Sequence, residues 1–484
     1  MKIHTIEITN YKAFLGTYKI NVGGKNLFIY GENGSGKSSL YYALKDFFQS
    51  SIEDIDLAEL ENIFVADDKK GEVRIELIFK PDNQGQNREK TYQLSTSKND
   101  TRAADDTSIR DTNRLKSFLT YKRLMDIHHL KKEDSINLFN LLVKGVLKHF
   151  KFALTGGKEL GELWAEVEEA VARTTSKKYR KNKKETDVNG AIKVFNEAFS
   201  ELLKKDSPEY ILKHALPILR KFNHNIEIEL HFPQVRPSED YTRVEDARVD
   251  IAVRYGGKTV EKPHFFLNEA RLSAIAISIY LGLIKRHPQA IPCKILFLDD
   301  IFIGLDIGNR MPLLKILESE FSDYQIFITT YDKPWFEYAR GFLDKHSWKT
   351  LEFYAQTSKE GYDIPVIFDD QDLITKAKRH LENGDYKAAA VYTRSAFEKA
   401  IQKYCEKKRK KVVFKPKLKR YNAEDFWEVV KEDLSDKTVS AVEEYRALVL
   451  NPFSHYNTES HEIGTEIRAA IEVVEKLTAE LKSK

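Results

Sequence analysis

A glycine-rich run is the part of this sequence whose residue types and spacing best suit chemistry on phosphate. Residues 31–39 read GENGSGKSS and fit the pattern G-x-x-x-x-G-K-S. Glycines let the backbone curl so that its N–H groups face a phosphate, the Lys37 side chain can reach the β- and γ-phosphates, and the Ser38 hydroxyl can bind Mg²⁺. The run predicts a nucleotide site made of Gly31, Glu32, Asn33, Gly34, Ser35, Gly36, Lys37, Ser38 and Ser39.

A pair of aspartates far along the chain supplies the carboxylates that such a site needs. Residues 294–306 read KILFLDDIFIGLD, in which an apolar run ends in Asp299 and Asp300. A P-loop enzyme uses one carboxylate to hold Mg²⁺ and usually another group to orient water. We expect Asp299 to act on Mg²⁺, partly through water, and Asp300 to be the catalytic base. The alternative is that both acids only cap a turn.

Buried strands and one helix must bring these groups together. Lys25–Tyr30, Lys294–Leu298 and Tyr324–Tyr331 are apolar runs of strand length, and Ser38–Phe48 has the pattern of a helix. Because a phosphate loop joins a strand to the N-terminus of a helix, this order favours a phosphate site over an idle glycine turn. It also predicts an α/β fold.

In this order, the pieces resemble the ABC-type P-loop ATPase heads of the SMC and RecF class. The resemblance covers roughly residues 1–50 and 220–365. It implies these roles: Walker A for Gly31–Ser38 with Lys37 catalytic, Walker B for Asp299, the catalytic acid for Asp300, the D-loop for Asp306 and the switch for Tyr331.

The segment Leu267–Arg271 (LNEAR) stands where that family has its signature, LSGGE or LSGGQ. The signature contacts the γ-phosphate of ATP held by the partner subunit, so the resemblance implies roles in trans for Asn268, Glu269, Ala270 and Arg271. It further implies ATP and Mg²⁺ as ligands, and a homodimer or higher oligomer of heads paired head to tail.

Four positions depart from the family pattern: Asn268 replaces serine, Ala270 replaces a glycine, Asp300 replaces glutamate and Tyr331 replaces histidine. These changes favour nucleotide sandwiching over fast turnover. A Q-loop glutamine is also missing, and Leu119–His129 falls in that region. Its His128 and His129 are interpreted as ordinary side chains rather than metal ligands.

An insertion separates the two halves of the predicted head. Gly71–Phe79 and Thr91–Leu94 predict strands that extend the N-terminal sheet. From about Asn113 to Phe222, apolar residues recur at helical spacing, which predicts a compact helical arm. The basic run Lys177–Lys184 is expected at a turn of this arm, where it either contacts nucleic-acid phosphates or is a solvated tip.

The residues after about 368 predict a C-terminal all-α helical bundle. Arg446, Asn451 and His455, with Arg394 and Glu398 one helical turn apart, resemble a HEPN-type domain, whose RNases use an arginine and a histidine. The alternative is a helix end at which His455 packs. A second basic run, Lys407–Arg420, has the same two interpretations as the first. The predicted domains are 1–112, 113–222, 223–368 and 369–484.

Composition sets the class of protein. The chain has 484 residues, 42% of them hydrophobic and 31% charged, with a net charge of +4. Two distant cysteines form no CxxC, which argues against a zinc finger or disulfide framework. The N-terminus lacks a signal-peptide core, and no apolar run reaches the ~20 residues that span a bilayer. We therefore expect a cytoplasmic protein without a membrane partner.

Heads of this class with an added helical domain resemble the ATPases of the Septu and PARIS antiphage defence systems, Septu most closely. The resemblance implies an ATP-dependent sensor and scaffold that controls a nuclease encoded nearby. Two alternatives stay open: an ATP-gated RNase that uses Arg446 and His455, and a RecF-like DNA-repair ATPase.

Overall fold

The computed structural model describes residues 1–80, 89–103, 105–122, 124, 136–152, 155–174, 181–286, 291–358, 361–369, 373–382, 384–413, 422–446 and 464–484. These residues form two compact units, 1–367 and 368–484. The structure confirms an α/β head and a helical C-terminal region. Among the described helices, none is both long and apolar enough to cross a membrane.

The strands belong to the larger unit. In chain order they are β1 (Lys2–Thr9), β2 (Thr17–Asn21), β3 (Asn26–Gly31), β4 (Arg74–Lys80), β5 (Lys90–Ser95), β6 (Phe118–Thr120), β7 (Ile226–His231), β8 (Arg236–Pro237), β9 (Val244–Glu245), β10 (Asp250–Tyr255), β11 (Lys258–Val260), β12 (Ile295–Asp299), β13 (Gln325–Thr330), β14 (Trp348–Thr357) and β15 (Asp363–Asp369).

The α-helices of the larger unit are α1 (Lys37–Gln49), α2 (Ser108–Arg114), α3 (Leu160–Thr174), α4 (Lys181–Glu201), α5 (Ala215–Lys221), α6 (Pro263–Phe266), α7 (Glu269–Lys285), α8 (Ile307–Glu320) and α9 (Lys333–Arg340). Those of the smaller unit are α10 (Leu373–Glu382), α11 (Tyr386–Lys408), α12 (Ala423–Val430), α13 (Asp436–Tyr445) and α14 (Gly464–Ser483).

A six-stranded sheet forms the centre of the head, in the order β15-β14-β3-β13-β12-β6. The strand pairs β14–β3, β3–β13, β13–β12 and β12–β6 are parallel. Strands β12 and β13 are buried at every residue, as expected where both faces of a parallel sheet are covered. The carboxyl ends of β3, β12 and β13 therefore meet at one edge.

Two hydrophobic cores lie on opposite faces of this sheet. Leu27 and Ile29 pack with α1 and with a four-stranded antiparallel sheet of order β2-β1-β4-β5, which confirms the strands predicted before the insertion. Phe28 and Tyr30 point the other way, into a core with the apolar helix α7. Alternation along one strand thus joins the two layers of the head.

The inserted segment shares its core with the head. Trp164 of α3 and Phe195 of α4 belong to the same apolar cluster as Ile275 of α7. The helical pattern predicted from residue 113 is wrong at β6, because Phe118–Thr120 form an edge strand beside β12. The turn predicted for the basic run is wrong for Lys181–Lys184, where α4 begins, while 175–180 lie outside the described residues.

The smaller unit has its own apolar core of α-helices. Trp427 of α12 is fully buried beside Phe397 of α11, with ring centroids 5.7 Å apart, and Leu477 of α14 joins the same cluster. Asp385 is the N-cap of α11 and accepts a hydrogen bond from the Ala388 N–H.

Candidate functional site

The glycine run forms a tight loop between β3 and α1. Gly36 adopts a left-handed conformation, φ 93°, immediately before the helix. A Cβ at Gly36 would lie 2.8 Å from Pro365 Cγ, and a Cβ at Gly31 would collide with Ser35 Oγ. Both positions therefore require glycine. The first N–H groups of α1 have no carbonyl partners within the helix, and they face the loop.

Lys37 is folded back onto its own loop. Its Nζ donates hydrogen bonds to the Gly31 carbonyl at 2.7 Å and the Glu32 carbonyl at 3.1 Å. The side chain is only 4% exposed, and burial lowers the pKa of its ammonium while Asp300 acts against that shift.

Asp299 lies at the end of β12, next to the start of α1. Its Oδ2 is 3.4 Å from the Ser38 hydroxyl, and its Oδ1 accepts a hydrogen bond of 2.7 Å from Thr329 of β13. Burial raises the pKa of Asp299, with these hydrogen bonds and Lys37 opposing the shift. The tertiary structure thus brings together the two residues that the sequence assigns to Mg²⁺.

Asp300 has a strained backbone and a half-buried side chain. Its backbone is left-handed, φ 52° and ψ 27°, and its N–H donates to Thr329 Oγ1 at 3.0 Å. One carboxylate oxygen is 3.9 Å from Lys37 Nζ, whereas Oδ1 is buried with no hydrogen-bond partner. Burial raises the pKa to about 6, against the attraction of Lys37. A base whose pKa is close to neutral suits proton transfer from water.

The residues assigned to the signature surround the start of α7. Asn268 is the N-cap: its Oδ1 accepts the Arg271 N–H at 3.1 Å. Glu269 and Asn268 are exposed, whereas Ala270 is buried, and the Arg271 guanidinium lies 4.8 Å from the centre of the Tyr255 ring. Because the Asn268 oxygen caps α7, its amide N–H₂ is the group that could donate a hydrogen bond to a phosphate.

The predicted D-loop, Gly304–Asp306, and the predicted switch position are joined by Arg310, which the sequence does not mark as a site residue. Arg310 Nε donates to the Leu305 carbonyl at 2.8 Å, and its Nη1 contacts Asp332 Oδ2 at 2.6 Å. Asp306 caps α8 by accepting the Asn309 N–H. Tyr331, just before Asp332, is 45% exposed. Arg310 lies in an ordinary helical pattern, so no local sequence feature identifies this role.

The end of β6 also reaches the site. Thr120 is in register with Asp299, and Lys122, two residues later, favours the charged form of the Asp299 carboxylate. Tyr121 donates a hydrogen bond to Glu269. Both residues belong to Leu119–His129, the segment expected in the Q-loop region, for which the sequence predicts no individual roles. His128 and His129 lie outside the described residues.

The HEPN-like set is described only in part. Arg446 contacts Glu424 through an ion pair of 2.5 Å and lies over the rings of Phe397 and Trp427. Arg394 pairs with Glu398 at 2.9 Å. Asn451 and His455 lie outside the described residues, as do residues 414–420 of the second basic run. Arg446 is therefore engaged in packing at the end of α13.

The polar groups at the carboxyl ends of β3 and β12 fit a nucleotide with bound Mg²⁺. The loop offers backbone N–H groups where glycines exclude side chains, and the Ser35 hydroxyl is buried there with no hydrogen-bond partner. The hydroxyl of Ser38 and the carboxylate of Asp299 are hard oxygen donors, the type that Mg²⁺ prefers. A phosphate and its cation would satisfy these polar groups together.

No curated protein matches the chain. The Smc head domain with extended coiled coil of Pyrococcus furiosus, bound to the C-terminal domain of ScpA, matches at TM-score 0.45 and 15% identity, over 79% of this chain and 99% of that one. The SMC head domain of Thermotoga maritima matches at TM-score 0.35 and 13% identity, over 77% and 100%.

The family model of the RecF/RecN/SMC N terminal domain matches residues 2–348. This match spans the glycine loop, the aspartate pair and the residues predicted as the D-loop and the switch. The chain therefore belongs to the RecF/RecN/SMC family and carries an SMC-type ATPase head.

Proposed function

We propose that this chain binds and slowly hydrolyses ATP with Mg²⁺, and that ATP drives two heads to pair head to tail. The observation that carries the proposal is the convergence of Lys37 and Ser38 on Asp300 and Asp299, at 3.9 and 3.4 Å. On ATP binding, Lys37 would exchange the carbonyls of Gly31 and Glu32 for phosphate oxygens. Bound Mg²⁺, held by Ser38 and Asp299, would offset phosphate charge.

Exposed apolar side chains support pairing through the signature and D-loop side of the head. Phe265 and Phe266, just before the signature, are 56% and 63% exposed, and Ile307, just after Asp306, is 69% exposed. Phe265 and Phe266 are adjacent in the chain, and neighbouring exposed apolar groups are a feature of surfaces that another protein covers. The proposal assigns these residues to contact with a second copy of the chain.

Asp300 would act as the base. Its position beside Lys37 orients it toward the phosphate loop, and its pKa of about 6 leaves it largely ionised at neutral pH. The short side chain and the exposed Tyr331 in place of histidine favour slow turnover, so the paired state persists long enough to serve as a signal.

The role of that signal is proposed from the resemblance to antiphage ATPases. The paired heads would control a nuclease encoded nearby, with the helical unit as a docking module. The basic run Lys177–Lys184 is the proposed nucleic-acid contact. Arg446 is already held by Glu424 and two aromatic rings, which supports docking over RNase chemistry in this unit.

The test is the oligomeric state of the full chain with Asp300→Asn, which keeps ATP uncleaved. We expect sedimentation velocity to show dimers with ATP and Mg²⁺ but not with ADP. Lys37→Ala in the same background is the matched control and is expected to stay monomeric. A monomer under all conditions would contradict pairing.

The defence role is tested separately, by phage plating on cells that carry the gene with its neighbours. Lys37→Ala and Asp300→Ala are expected to abolish protection, whereas His455→Ala is not. Loss of protection in a folded His455→Ala variant, together with RNA cleavage by the purified wild-type chain, would instead favour the RNase.

A further inference from the structure

A carboxylate stands at the point where the proposed function needs an anion site. Glu269 is the first residue of α7 and is exposed. If the N-terminus of α7 is to meet the γ-phosphate of a partner's ATP, a free carboxylate in its first turn would compete for the same N–H groups and repel the phosphate. The proposed function therefore requires a neighbouring group that holds the Glu269 carboxylate away from these N–H groups.

Tyr121 is placed to do so. Its hydroxyl donates a hydrogen bond of 2.5 Å to Glu269 Oε1. Burial and the neighbouring carboxylate raise the pKa of Tyr121 to about 12, so the hydroxyl remains a donor at neutral pH. Arg271, the cation of the same motif, is stacked on Tyr255.

The backbone around Tyr121 fixes the direction of this hydrogen bond. Tyr121 follows β6, whose Thr120 is in register with Asp299. A Cβ at Gly304 would lie only 3.0 Å from the edge of the Tyr121 ring, so the D-loop closes against the ring. The tyrosine therefore touches the signature and the D-loop from a strand that ends beside the chain's own magnesium ligand.

We propose that Tyr121 is a positioning residue that draws the Glu269 carboxylate aside, so that the N-terminus of α7 accepts the γ-phosphate of a partner's ATP. This inference rests on the proposed function. The hydrogen bond is accessible to solvent in the single chain, and pairing would exclude water from it. Its effect is therefore expected in pairing rather than in nucleotide binding by one chain.

The experiment is a double-mutant cycle in the Asp300→Asn background, with Tyr121→Phe, Glu269→Gln and both together. Tyr121→Phe is expected to raise the ATP-dependent dimer dissociation constant about tenfold, because a hydrogen bond to a charged group is lost. Glu269→Gln removes the charge and is expected to restore pairing in the Tyr121→Phe chain. A fluorescent ATP analogue should bind the single chain equally well in all four proteins.

The decisive result is whether Glu269→Gln restores pairing in the Tyr121→Phe chain. Pairing that stays weak in the double variant, or that is unchanged by Tyr121→Phe, would overturn the inference. If Tyr121→Phe disturbs folding, the single variant Glu269→Gln tests the inference. It is expected to pair at least as tightly as the Asp300→Asn reference chain, and weaker pairing would overturn the inference. Failure of the reference chain itself to pair with ATP would refute the proposed function, which is a different result.

Discussion

At the scale of single residues, the edge where β3 and β12 end holds side chains whose ionised forms are disfavoured by burial. Asp300 is the clearest case, because burial raises its pKa from the ordinary 3.8 to about 6 although Lys37 is nearby. Its ionised form therefore costs folding free energy at pH values above about 6, and the cost disappears below about pH 4, where the carboxyl is protonated in both the folded and the unfolded chain.

Replacing this charge is expected to stabilise the fold. Asp300→Asn should raise the free energy of unfolding at pH 7 by roughly 1–3 kcal/mol, because the ionised carboxylate, even with Lys37 beside it, costs about 1.4 kcal/mol for each pH unit between its folded and unfolded pKa. Urea unfolding of both proteins at pH 7 and pH 4 is the measurement. The gain should shrink toward zero at pH 4, and an equal gain at both values would contradict the assigned cause.

The same pKa predicts how turnover depends on pH. If the Asp300 carboxylate accepts the proton of the attacking water, the rate should fall about tenfold per pH unit below about pH 6 and level off above it. Steady-state ATP hydrolysis from pH 5 to 8 measures this profile. A rate that is flat through this range would show that another group, or none, acts as base.

At the scale of elements, the predicted D-loop, Gly304–Asp306, is contacted from two sides. Arg310 of α8 ties Leu305 to Asp332, next to the switch position. On the other side, Gly304 lies against Ser273 of α7 and against Tyr121. Motifs that are separate in sequence are therefore joined by packing, so a shift in one of them is expected to reach the others.

Gly304→Ala is expected to disturb this packing. The added methyl would collide with Ser273 Oγ, and overpacking of this kind lowers the free energy of unfolding by about 1–3 kcal/mol. Gly308→Ala is the matched control, since its nearest neighbour, Asp306 Oδ1, is 3.4 Å away. The melting temperature and the affinity of ATP-dependent pairing should both fall for Gly304→Ala and stay unchanged for Gly308→Ala. Equal losses in both variants would contradict the packing argument.

At the scale of the whole molecule, the chain consists of two units with separate cores. The cluster around Trp427 contains residues of the helical unit alone, and the two clusters of the head contain residues before 368. Separate cores imply that a substitution inside the helical unit leaves the apolar packing of the head unchanged.

Trp427→Ala is expected to destabilise the helical unit by about 3–5 kcal/mol, the usual cost of emptying a buried aromatic site. Val413→Ala, at a side chain that is 77% exposed, is the control and should be nearly neutral. Limited proteolysis measures the stability of the helical unit, and binding of a fluorescent ATP analogue measures the nucleotide affinity of the head. Loss of nucleotide affinity in Trp427→Ala would contradict independent cores.

The sequence by itself determined the phosphate loop, the aspartate pair and the elements that carry them. Glycine spacing and apolar runs act over a few residues, so Asn26–Gly31, Lys37–Gln49 and Ile295–Asp299 were all predicted within one residue at each end. The C-terminal helices were predicted for the same reason. Local chemistry is enough where backbone conformation and periodic burial decide the structure.

Only the tertiary structure decided the partners of these groups. The three residues of β6 are too few to show a strand period, and they form a strand because β12 offers an open edge. The contacts of Arg310 with Asp332 and of Tyr121 with Glu269 join residues whose types carry no mutual pattern in sequence. Such pairings follow from which side chains the packed sheets and helices bring within hydrogen-bonding distance.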